Sequence, residues 1–450
     1  MHWQSHFFLF LAFPLLAASP LRAENARVLS LGEAFHLVER NNARLILNEE
    51  LIAQALSAAR RERSTLLPAI DVEATQTRSR FAGQGGGSPL SGDFGPGGGT
   101  MTSNRFEAGL AGNVALLDPQ RIANFRASRV DVEVADLTYA EVRQEIFAQV
   151  AQAFLEWQVN RQREEVFRAN VERSQAFLDL ANNRVEAGVA PEIDRTRAEV
   201  QLARDEQALL EQESVVFARE IQVRRLLALT LDEPLEPVLF ATRLVERPSL
   251  REEILPSLYR ERAEYQTLLR TLERNRIEVR AARWERFPSL NLFGNLGWVS
   301  ETPLDGDETG VWGLGIGLRA PLFEGFRIRA NTLLAQSRMR STETRLRDLE
   351  EAIAAEYALV LRNLESRVAQ IEVAEKNLAL SSEELRLAEV RFAQGVADNR
   401  ELIEAQNNVA QAGENLVVAL NRYDLSRLEL ARIRGDVRLI LADQVDPGER

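Results

Sequence analysis

Four segments of the chain alternate apolar and polar residues with a period of two, which is typical of β-strands with one apolar face. They form two pairs, so we predict β-hairpins at residues 68–117 and 288–323. The apolar positions are Ile70, Val72 and Ala74; Phe106, Ala108, Leu110, Gly112, Val114 and Leu116; Leu290, Leu292, Leu296 and Trp298; and Trp312, Leu314, Ile316 and Leu318. One such strand would fit a soluble core better, but four strands of about ten residues with no other sheet to cover them favour a bilayer.

The rest of the chain is dominated by long helical stretches. Residues 118–187 and 324–394 contain no proline beyond Pro119, so each is predicted to form one helix. About 70 residues at 1.5 Å each give a rod of ~105 Å. Shorter returning helices are predicted at 190–230 and 398–437. The latter carries one apolar heptad stripe, while its second stripe is interrupted by polar residues, so coiled-coil-like packing is predicted without a full heptad repeat. The apolar stripe is Leu402, Val409, Leu416, Tyr423 and Leu430, and the interruptions are Gln406 and Arg427.

The two halves of the chain repeat one plan, so the sequence is an internal duplication. Leu67-Pro68-Ala69 corresponds to Phe287-Pro288-Ser289, and Arg184 to Ala190 corresponds to Arg391 to Ala397. Each repeat reads as a helix, a hairpin, a long helix, a tight turn and a returning helix. The predicted organisation is a signal peptide at 1–23, a first repeat at 24–230, a linker at 231–250, a second repeat at 251–437 and a C-terminal tail at 438–450.

The N-terminus predicts export from the cytoplasm. The apolar run from Phe7 to Ala18 is shorter than the ~20 residues of a spanning helix and suits a secretory signal, with cleavage expected after Ala23. A buried N-terminal helix is the alternative, although charged helical sequence begins at Glu24. No later stretch is apolar enough for a spanning helix, so membrane insertion is expected through β-strands.

Composition excludes several classes of chemistry. A net charge of −12 disfavours nucleic acid as a partner, and the absence of cysteine excludes disulfides, thiolate nucleophiles and cysteine-ligated metals. Lys376 is the only lysine and lies in a helical context without glycine, so no P-loop is present. After the signal, His36 is the only histidine, and it lies between Phe35 and Leu37. We therefore predict no catalytic residues, no metal site and no cofactor.

Glycine is concentrated at the first hairpin tip. Nine of the 25 glycines lie between Gly83 and Gly99, which predicts a flexible solvated loop, and its partner is the acidic turn Glu301 to Gly310. Gly313-x-Gly315-x-Gly317 resembles a dinucleotide-binding motif, but it lies within a predicted strand. Close backbone packing in a barrel wall is the preferred interpretation.

Two hairpins cannot close a barrel by themselves. An open sheet edge in a bilayer leaves unpaired backbone groups, each costing several kcal/mol, so strands from several chains must complete the ring. Two chains would supply about eight strands, which fill their own interior, and three would supply about twelve, which leave a lumen.

The sequence resembles the TolC-like outer-membrane efflux proteins over essentially the whole mature chain. The most specific residues are the duplicated helix-turn motifs, Arg184-x-x-x-Gly188-Val189-Ala190-x-x-x-Asp194 and Arg391-x-x-x-Gly395-Val396-x-x-x-x-Glu401, and the strand exit from Ala320 to Gly325. The resemblance implies a membrane α+β fold in which four transmembrane strands per chain complete a 12-stranded barrel in a homotrimer. A long periplasmic α-helical barrel would continue the channel below the outer membrane of a Gram-negative cell. The implied partners are outer-membrane lipid, a periplasmic adaptor and an inner-membrane transporter.

In this family the helix-turn motifs form the periplasmic tips that meet the adaptor. The corresponding residues here are Gly188, Val189, Ala190 and Pro191 in the first repeat and Gly395, Val396 and Ala397 in the second. Local geometry is a second reason for these residues. Gly188 and Gly395 suit a positive φ after a helix end, and Pro191 suits the first position of a helix.

The resemblance also implies an acidic constriction near the tips. Family members often carry two acidic residues at the start of the second returning helix, and the corresponding residues here are Glu401 and Glu404. Six carboxylates around one axis would attract cations. The competing interpretation is a capping box in which Asp398 caps the helix and Glu401 reaches back to it. Asp194, at the corresponding place in the first repeat, fits a partner of the helix dipole.

Three functions are consistent with at least part of the sequence. The first is a passive exit duct for drugs, metals, lipids or proteins that an inner-membrane pump delivers through an adaptor. The second is an exported coiled-coil rod or adhesin-like protein, which would explain the helices but not the paired hairpins. The third is an exported hydrolase, for which His36 is the only histidine available. The duct is the predicted function.

Overall fold

The computed structural model describes residues 27–82, 100–231, 235–239, 255–303, 306, 308–396 and 398–443. The predicted signal peptide, the glycine-rich loop between Gly83 and Gly99, and Ala397 lie outside the described residues. In chain order the elements are β1 (Arg27–Leu29), α1 (Leu31–Asn41), α2 (Ala43–Ser64), β2 (Ala69–Ala82), β3 (Thr100–Leu117), α3 (Pro119–Glu186), α4 (Glu192–Leu227), β4 (Leu235–Pro237), α5 (Leu255–Glu261), α6 (Ala263–Trp284), β5 (Ser289–Ser300), β6 (Thr309–Arg319), α7 (Arg327–Ala393) and α8 (Asn399–Ile433), followed by a 3₁₀ helix (Val437–Asp443).

The two hairpins join into one antiparallel sheet with the strand order β2-β3-β5-β6. Its register pairs Val72 with Leu110, Leu110 with Leu296, and Leu296 with Trp312. Since paired residues point to the same side, the predicted apolar positions form one continuous apolar face. Leu116 departs from this pattern because the register shifts between Ala115 and Leu117.

The opposite side of the sheet, here called the polar face, carries charged, amide and small residues. Its register pairs Asp71 with Ala111, Ala111 with Asn295, and Asn295 with Gly313. Gly313, Gly315 and Gly317 of β6 accommodate side chains of the neighbouring strand rather than backbone, which corrects the prediction of close backbone packing. A Cβ atom on Gly313 would lie 2.6 Å from Asn295 Oδ1, and one on Gly315 would lie 2.7 Å from Phe293 Cζ.

Two long helices, α3 and α7, lead away from the sheet, and each packs against the shorter helix that returns from its far end, α3 with α4 and α7 with α8. With 68 and 67 residues, α3 and α7 are each about 100 Å long. α3 begins where its sequence predicts, because Asp118 Oδ1 accepts a hydrogen bond from the Arg121 N–H at 3.0 Å and Pro119 follows the cap. Among the residues that the structure describes, no helix is both long and apolar enough to cross a membrane.

The largest apolar core lies partway along the helices. It includes residues from the start of the described chain and from its end. β1 pairs in parallel with β4, which lies in the predicted linker. The 3₁₀ helix extends into the predicted C-terminal tail, and α8 ends at Ile433 rather than at residue 437. Fully buried members of this core are Leu29, Leu31, Phe147, Phe154, Trp157, Leu227, Val437 and Ile440. Both termini of the described chain are therefore anchored beside the middle of the helices.

Candidate functional site at the helical tips

The α3–α4 turn is a Schellman motif. The Val189 N–H donates to the Arg184 carbonyl at 3.0 Å, and the Gly188 N–H donates to the Val185 carbonyl at 2.9 Å. Gly188 has a φ of +71°, as its predicted role requires. Pro191 is the N-cap of α4, with a ψ of 153°, and not the first helical residue as predicted. Its extended backbone lets the chain reverse before Glu192 begins the returning helix.

The α7–α8 turn has the same geometry. The Val396 N–H donates to the Arg391 carbonyl and the Gly395 N–H donates to the Phe392 carbonyl, both at 3.0 Å. Gly395 has a φ of +75°, also as predicted. The duplicated sequence motif therefore encodes a duplicated backbone turn, and the geometric explanation of both glycines is confirmed.

The two turns are tied to each other across the repeats. Arg184 Nη1 donates to the Phe392 carbonyl at 2.6 Å, and its guanidinium lies 4.3 Å from the centre of the Phe392 ring. In the other direction, Asn399 Nδ2 donates to the Asp194 carbonyl at 2.7 Å. Phe177 packs edge-on against Phe392 at 5.7 Å between ring centres. The tip is thus one unit built from both repeats, and Asn399 and Phe392 are members that the sequence pattern did not single out.

The predicted acidic residues lie on the first turns of α8. Asp398 Oδ1 accepts a hydrogen bond from the Glu401 N–H at 3.0 Å, so Asp398 is the helix cap. The Glu401 carboxylate does not reach back to it and instead pairs with Arg391, at 3.2 Å between Oε1 and Nε. The reciprocal half of the predicted capping box is therefore missing. Glu404 is exposed one turn further on.

In the first repeat, Asp194 lies in the first turn of α4, where its carboxylate stands 3.7 Å from Arg197 Nη1. A carboxylate at this helix end is favoured by the dipole, as predicted. The two repeats therefore differ in which helix supplies the arginine that faces this carboxylate. Asp194 faces a cation of its own helix, whereas Glu401 faces a cation of the preceding helix.

The outer surface of the tip is apolar and open. Val189 and Val396 are 67% and 68% exposed, and a Cβ atom on Gly188 or Gly395 would meet nothing within 4 Å. This arrangement can bind another protein surface through rigid turns with apolar side chains. Among the described residues, no group of three His, Cys, Asp or Glu side chains could hold a metal ion.

Comparisons with known proteins agree with this architecture. The family model for outer membrane efflux protein matches residues 36–229 and 266–436. Outer membrane protein OprJ of Pseudomonas aeruginosa is 26% identical over 376 residues, which are 79% of this chain and 74% of OprJ. Toluene efflux pump outer membrane protein TtgF of Pseudomonas putida is 25% identical, over 84% of this chain and 77% of TtgF. The crystal structure of the Campylobacter jejuni CmeC outer membrane channel is similar in fold, with a TM-score of 0.78, 18% identity and coverage of 93% of this chain and 90% of that one.

Proposed function

This chain belongs to the outer membrane efflux protein family, and we propose that three copies assemble into a channel-tunnel through which an inner-membrane pump exports its cargo. Family membership makes the chain an outer-membrane transport protein and not an enzyme. The family also favours the duct over the exported coiled-coil rod. The observation that carries the proposal is an open four-stranded sheet with one apolar face, continued by helices of about 100 Å.

The sheet supports a barrel shared between copies. β2 and β6 are its edge strands, and each has one side without a partner strand in the described chain. The apolar face is exposed in the single chain, with Trp312, Leu314 and Leu318 each more than 70% accessible. Joining β6 of one copy to β2 of the next, three times over, pairs these edges and turns the apolar face toward outer-membrane lipid.

Exposed apolar stripes support the same trimer along the helices. On α7, Leu359, Val373, Leu380 and Leu387 are exposed and recur at multiples of seven residues. On α4, Leu210 and Phe217 are likewise exposed and seven residues apart. A heptad stripe on a helix is the surface that another helix covers, and a second copy of the chain supplies one. The trimer would thus continue the barrel as an α-helical tube.

The tips are proposed to dock a periplasmic adaptor, which joins the duct to an inner-membrane transporter. Gly188, Val189, Ala190 and Pro191 form one contact loop, and Gly395, Val396 and Ala397 form the other. Support comes from the exposure of both valines on Schellman turns, since a rigid loop loses little entropy on binding. The name of TtgF describes it as the outer membrane protein of an efflux pump, which supports such partners for this chain.

Glu401 and Glu404 are proposed to form the constriction. In a trimer their six carboxylates would surround the axis near the tips and attract cations. The Arg391 contact holds Glu401 to the end of α7, so a movement of that helix would move the carboxylate. Small-molecule cargo is favoured over protein because TtgF is named for a toluene efflux pump.

Crosslinking from single cysteines tests the duct and its docking, because the native chain contains no cysteine. Val396→Cys in intact cells, treated with a short heterobifunctional reagent, should capture a periplasmic adaptor identified by mass spectrometry. Ser341→Cys is the matched control, since it is exposed on α7, about 80 Å nearer the sheet than the turn that holds Val396. Capture from both positions, or from neither in a trimer that reaches the outer membrane, would contradict docking at the tips.

A further inference from the structure

An aromatic side chain, that of Phe293, lies on the polar face among polar and small residues. Phe293, at the middle of β5, is paired with Asn113 on β3 and Gly315 on β6. Among the side chains of this face that the structure describes, it is the only aromatic one. If the apolar face meets lipid, as the proposed function requires, Phe293 faces the interior of the duct.

The Phe293 ring lies across the glycines of β6. A Cβ atom on Gly315 would come within 2.7 Å of Cζ and 2.9 Å of Cε2, and one on Gly317 within 3.5 Å of Cε1. The ring therefore occupies the space that larger residues would fill and is held against the β6 backbone. Despite this support, Phe293 remains 53% exposed. An aromatic covering glycine is a known way to stabilise a sheet, but that role would not require half of the residue to face solvent.

The surroundings of the ring favour a ligand that is flat. Its neighbours on this face are Asn291, Asn295 and Asn113, short side chains that leave the ring accessible. Further along the same face, the lining of a depression of about 220 Å³ includes Gly109 and Gly297, the apolar side chains of Val299 and Val311, and the charged side chains of Arg105 and Glu107. The paired Gly109 and Gly297 thus give the polar face a recess in which a planar group can approach the wall closely.

From this geometry we infer that Phe293 is a contact site for aromatic, planar cargo within the duct. The exposed ring surface stacks on an aromatic group of the solute, and the surrounding amides remain hydrated. The contact is weak, since one aromatic pair contributes about a two- to tenfold preference. Weak binding suits a duct, because cargo must leave the wall as readily as it reaches it. In a trimer three such rings would surround the passage.

The test measures protection of a cysteine beside the ring. Ala111→Cys lies on the same face, diagonal to Phe293 and about 7–8 Å away. Its reaction rate with a water-soluble, membrane-impermeant methanethiosulfonate is measured on the trimer in liposomes, with and without ethidium as a planar aromatic cation. Tetrabutylammonium, a cation of similar size without an aromatic ring, is the control solute. The reaction is repeated in Phe293→Leu and in Phe106→Leu, which changes an aromatic residue of the opposite face.

We expect ethidium to slow the reaction about three- to tenfold with Phe293 or Phe106→Leu, and less than twofold with Phe293→Leu. Tetrabutylammonium should have little effect in any variant. Equal protection by ethidium with Phe293 and with Phe293→Leu, or none in either, would overturn the inference and leave the duct intact. If the cysteine of Ala111→Cys does not react at all, the polar face is not in water. In that case the proposed barrel itself is wrong, and the inference falls with it.

Discussion

The two long helix pairs have the same dimensions and the same turns, but the residues that they bury in their middle stretches differ in chemistry. α3 and α7 have 68 and 67 residues, and α4 and α8 have 36 and 35. In the middle of the first pair the buried residues are polar: Asn160, Glu164, Asn170 and Ser174 of α3, and Gln201 and Gln212 of α4. The second pair buries Tyr357, Val360, Leu361, Leu364, Ile371 and Ala374 of α7 with Ala419 and Tyr423 of α8. We call these sets the polar seam and the apolar seam.

The polar seam is joined by directional bonds. Gln212 Nε2 donates to the Asn160 carbonyl at 2.8 Å, and Gln201 Nε2 donates to Asn407 Oδ1 of α8 at 3.1 Å. Hydrogen bonds fix which residue faces which, whereas apolar contacts stabilise without fixing a partner. The duplicated turns and lengths therefore preserve the backbone path, while the seam chemistry is free to differ. We therefore expect the apolar seam to contribute more to the free energy of unfolding. We expect the polar seam to contribute more to fixing which residues of the two helices face each other.

The largest effect is expected from a cavity in the apolar seam. Ile371→Ala should reduce the free energy of unfolding by about 2–5 kcal/mol, because Ile371 is 1% exposed and its neighbours cannot fill the space. The midpoint of thermal loss of the helical circular dichroism signal measures this. Glu375→Ala, an exposed position one turn away, should change the midpoint little. A midpoint that Ile371→Ala leaves unchanged would remove the apolar seam as a source of stability.

In the polar seam, the free energy of unfolding should depend on whether buried polar groups keep their hydrogen-bond partners, and not only on the side-chain volume removed. Gln212→Ala should cost about 1–3 kcal/mol, because it leaves the buried Asn160 side-chain oxygen without the 3.2 Å contact it accepts. Gln207→Ala, exposed on the same helix, is the control. Asn160→Leu combined with Gln212→Leu should recover much of the loss, since both buried polar side chains are then replaced by apolar ones. If the double variant is no more stable than Gln212→Ala, hydrogen bonding is not what holds this seam.

Local patterns could predict much of this architecture from the sequence. Alternation predicted the four strands, the lack of proline predicted the long helices, and Gly188 and Gly395 predicted the turns, because each signal lies within a few residues. The polar seam could not be predicted in this way. Gln212 and Asn160 are 52 residues apart, and a heptad analysis counts polar residues only as interruptions. The cross-repeat bond from Asn399 to Asp194 spans 205 residues and leaves no local pattern.

The two turns of the tip should also differ in how much stability a side-chain contact contributes to each. Arg184→Ala should cost about 1–2 kcal/mol at the tip, because it removes a charged hydrogen bond to the Phe392 carbonyl and a cation–π contact. Arg391→Ala should cost less than about 1 kcal/mol, because its pair with Glu401 is solvent-exposed. Amide hydrogen exchange in residues 184–196 and 391–403 measures both. Equal effects of the two substitutions would mean that the contacts between the repeats add nothing to the turns themselves.

The smallest effect on stability is expected from a difference between α3 and α7 at the places where each of them packs against α6. On α7, Glu350 Oε1 accepts a hydrogen bond from the Tyr265 hydroxyl at 2.9 Å. On α3, Glu141 meets like charge instead. Burial first, and then the carboxylates of Glu264 and Glu145, raise the pKa of Glu141 above its ordinary value, against the opposing charge of Arg262. The carboxyl of Glu141 in the first helix pair therefore binds a proton more tightly in the folded chain than in the unfolded chain.

A carboxyl with a raised folded-state pKa contributes stability below its unfolded-state pKa and loses that contribution as the pH rises through the folded-state value. Glu141→Gln cannot ionise, so it should be slightly more stable than the native chain at neutral pH, and the difference should disappear in acid. Thermal midpoints between about pH 4 and pH 8 measure this, since that interval spans the titration of a glutamate whose pKa is raised. Glu375→Gln is the matched loss of one negative charge at an exposed position. A gain that Glu375→Gln reproduces would trace the effect to net charge rather than to the surroundings of Glu141 at α6. A gain for Glu141→Gln that persists in acid would trace it to packing or hydrogen bonding of the amide, because the native carboxyl is then also neutral.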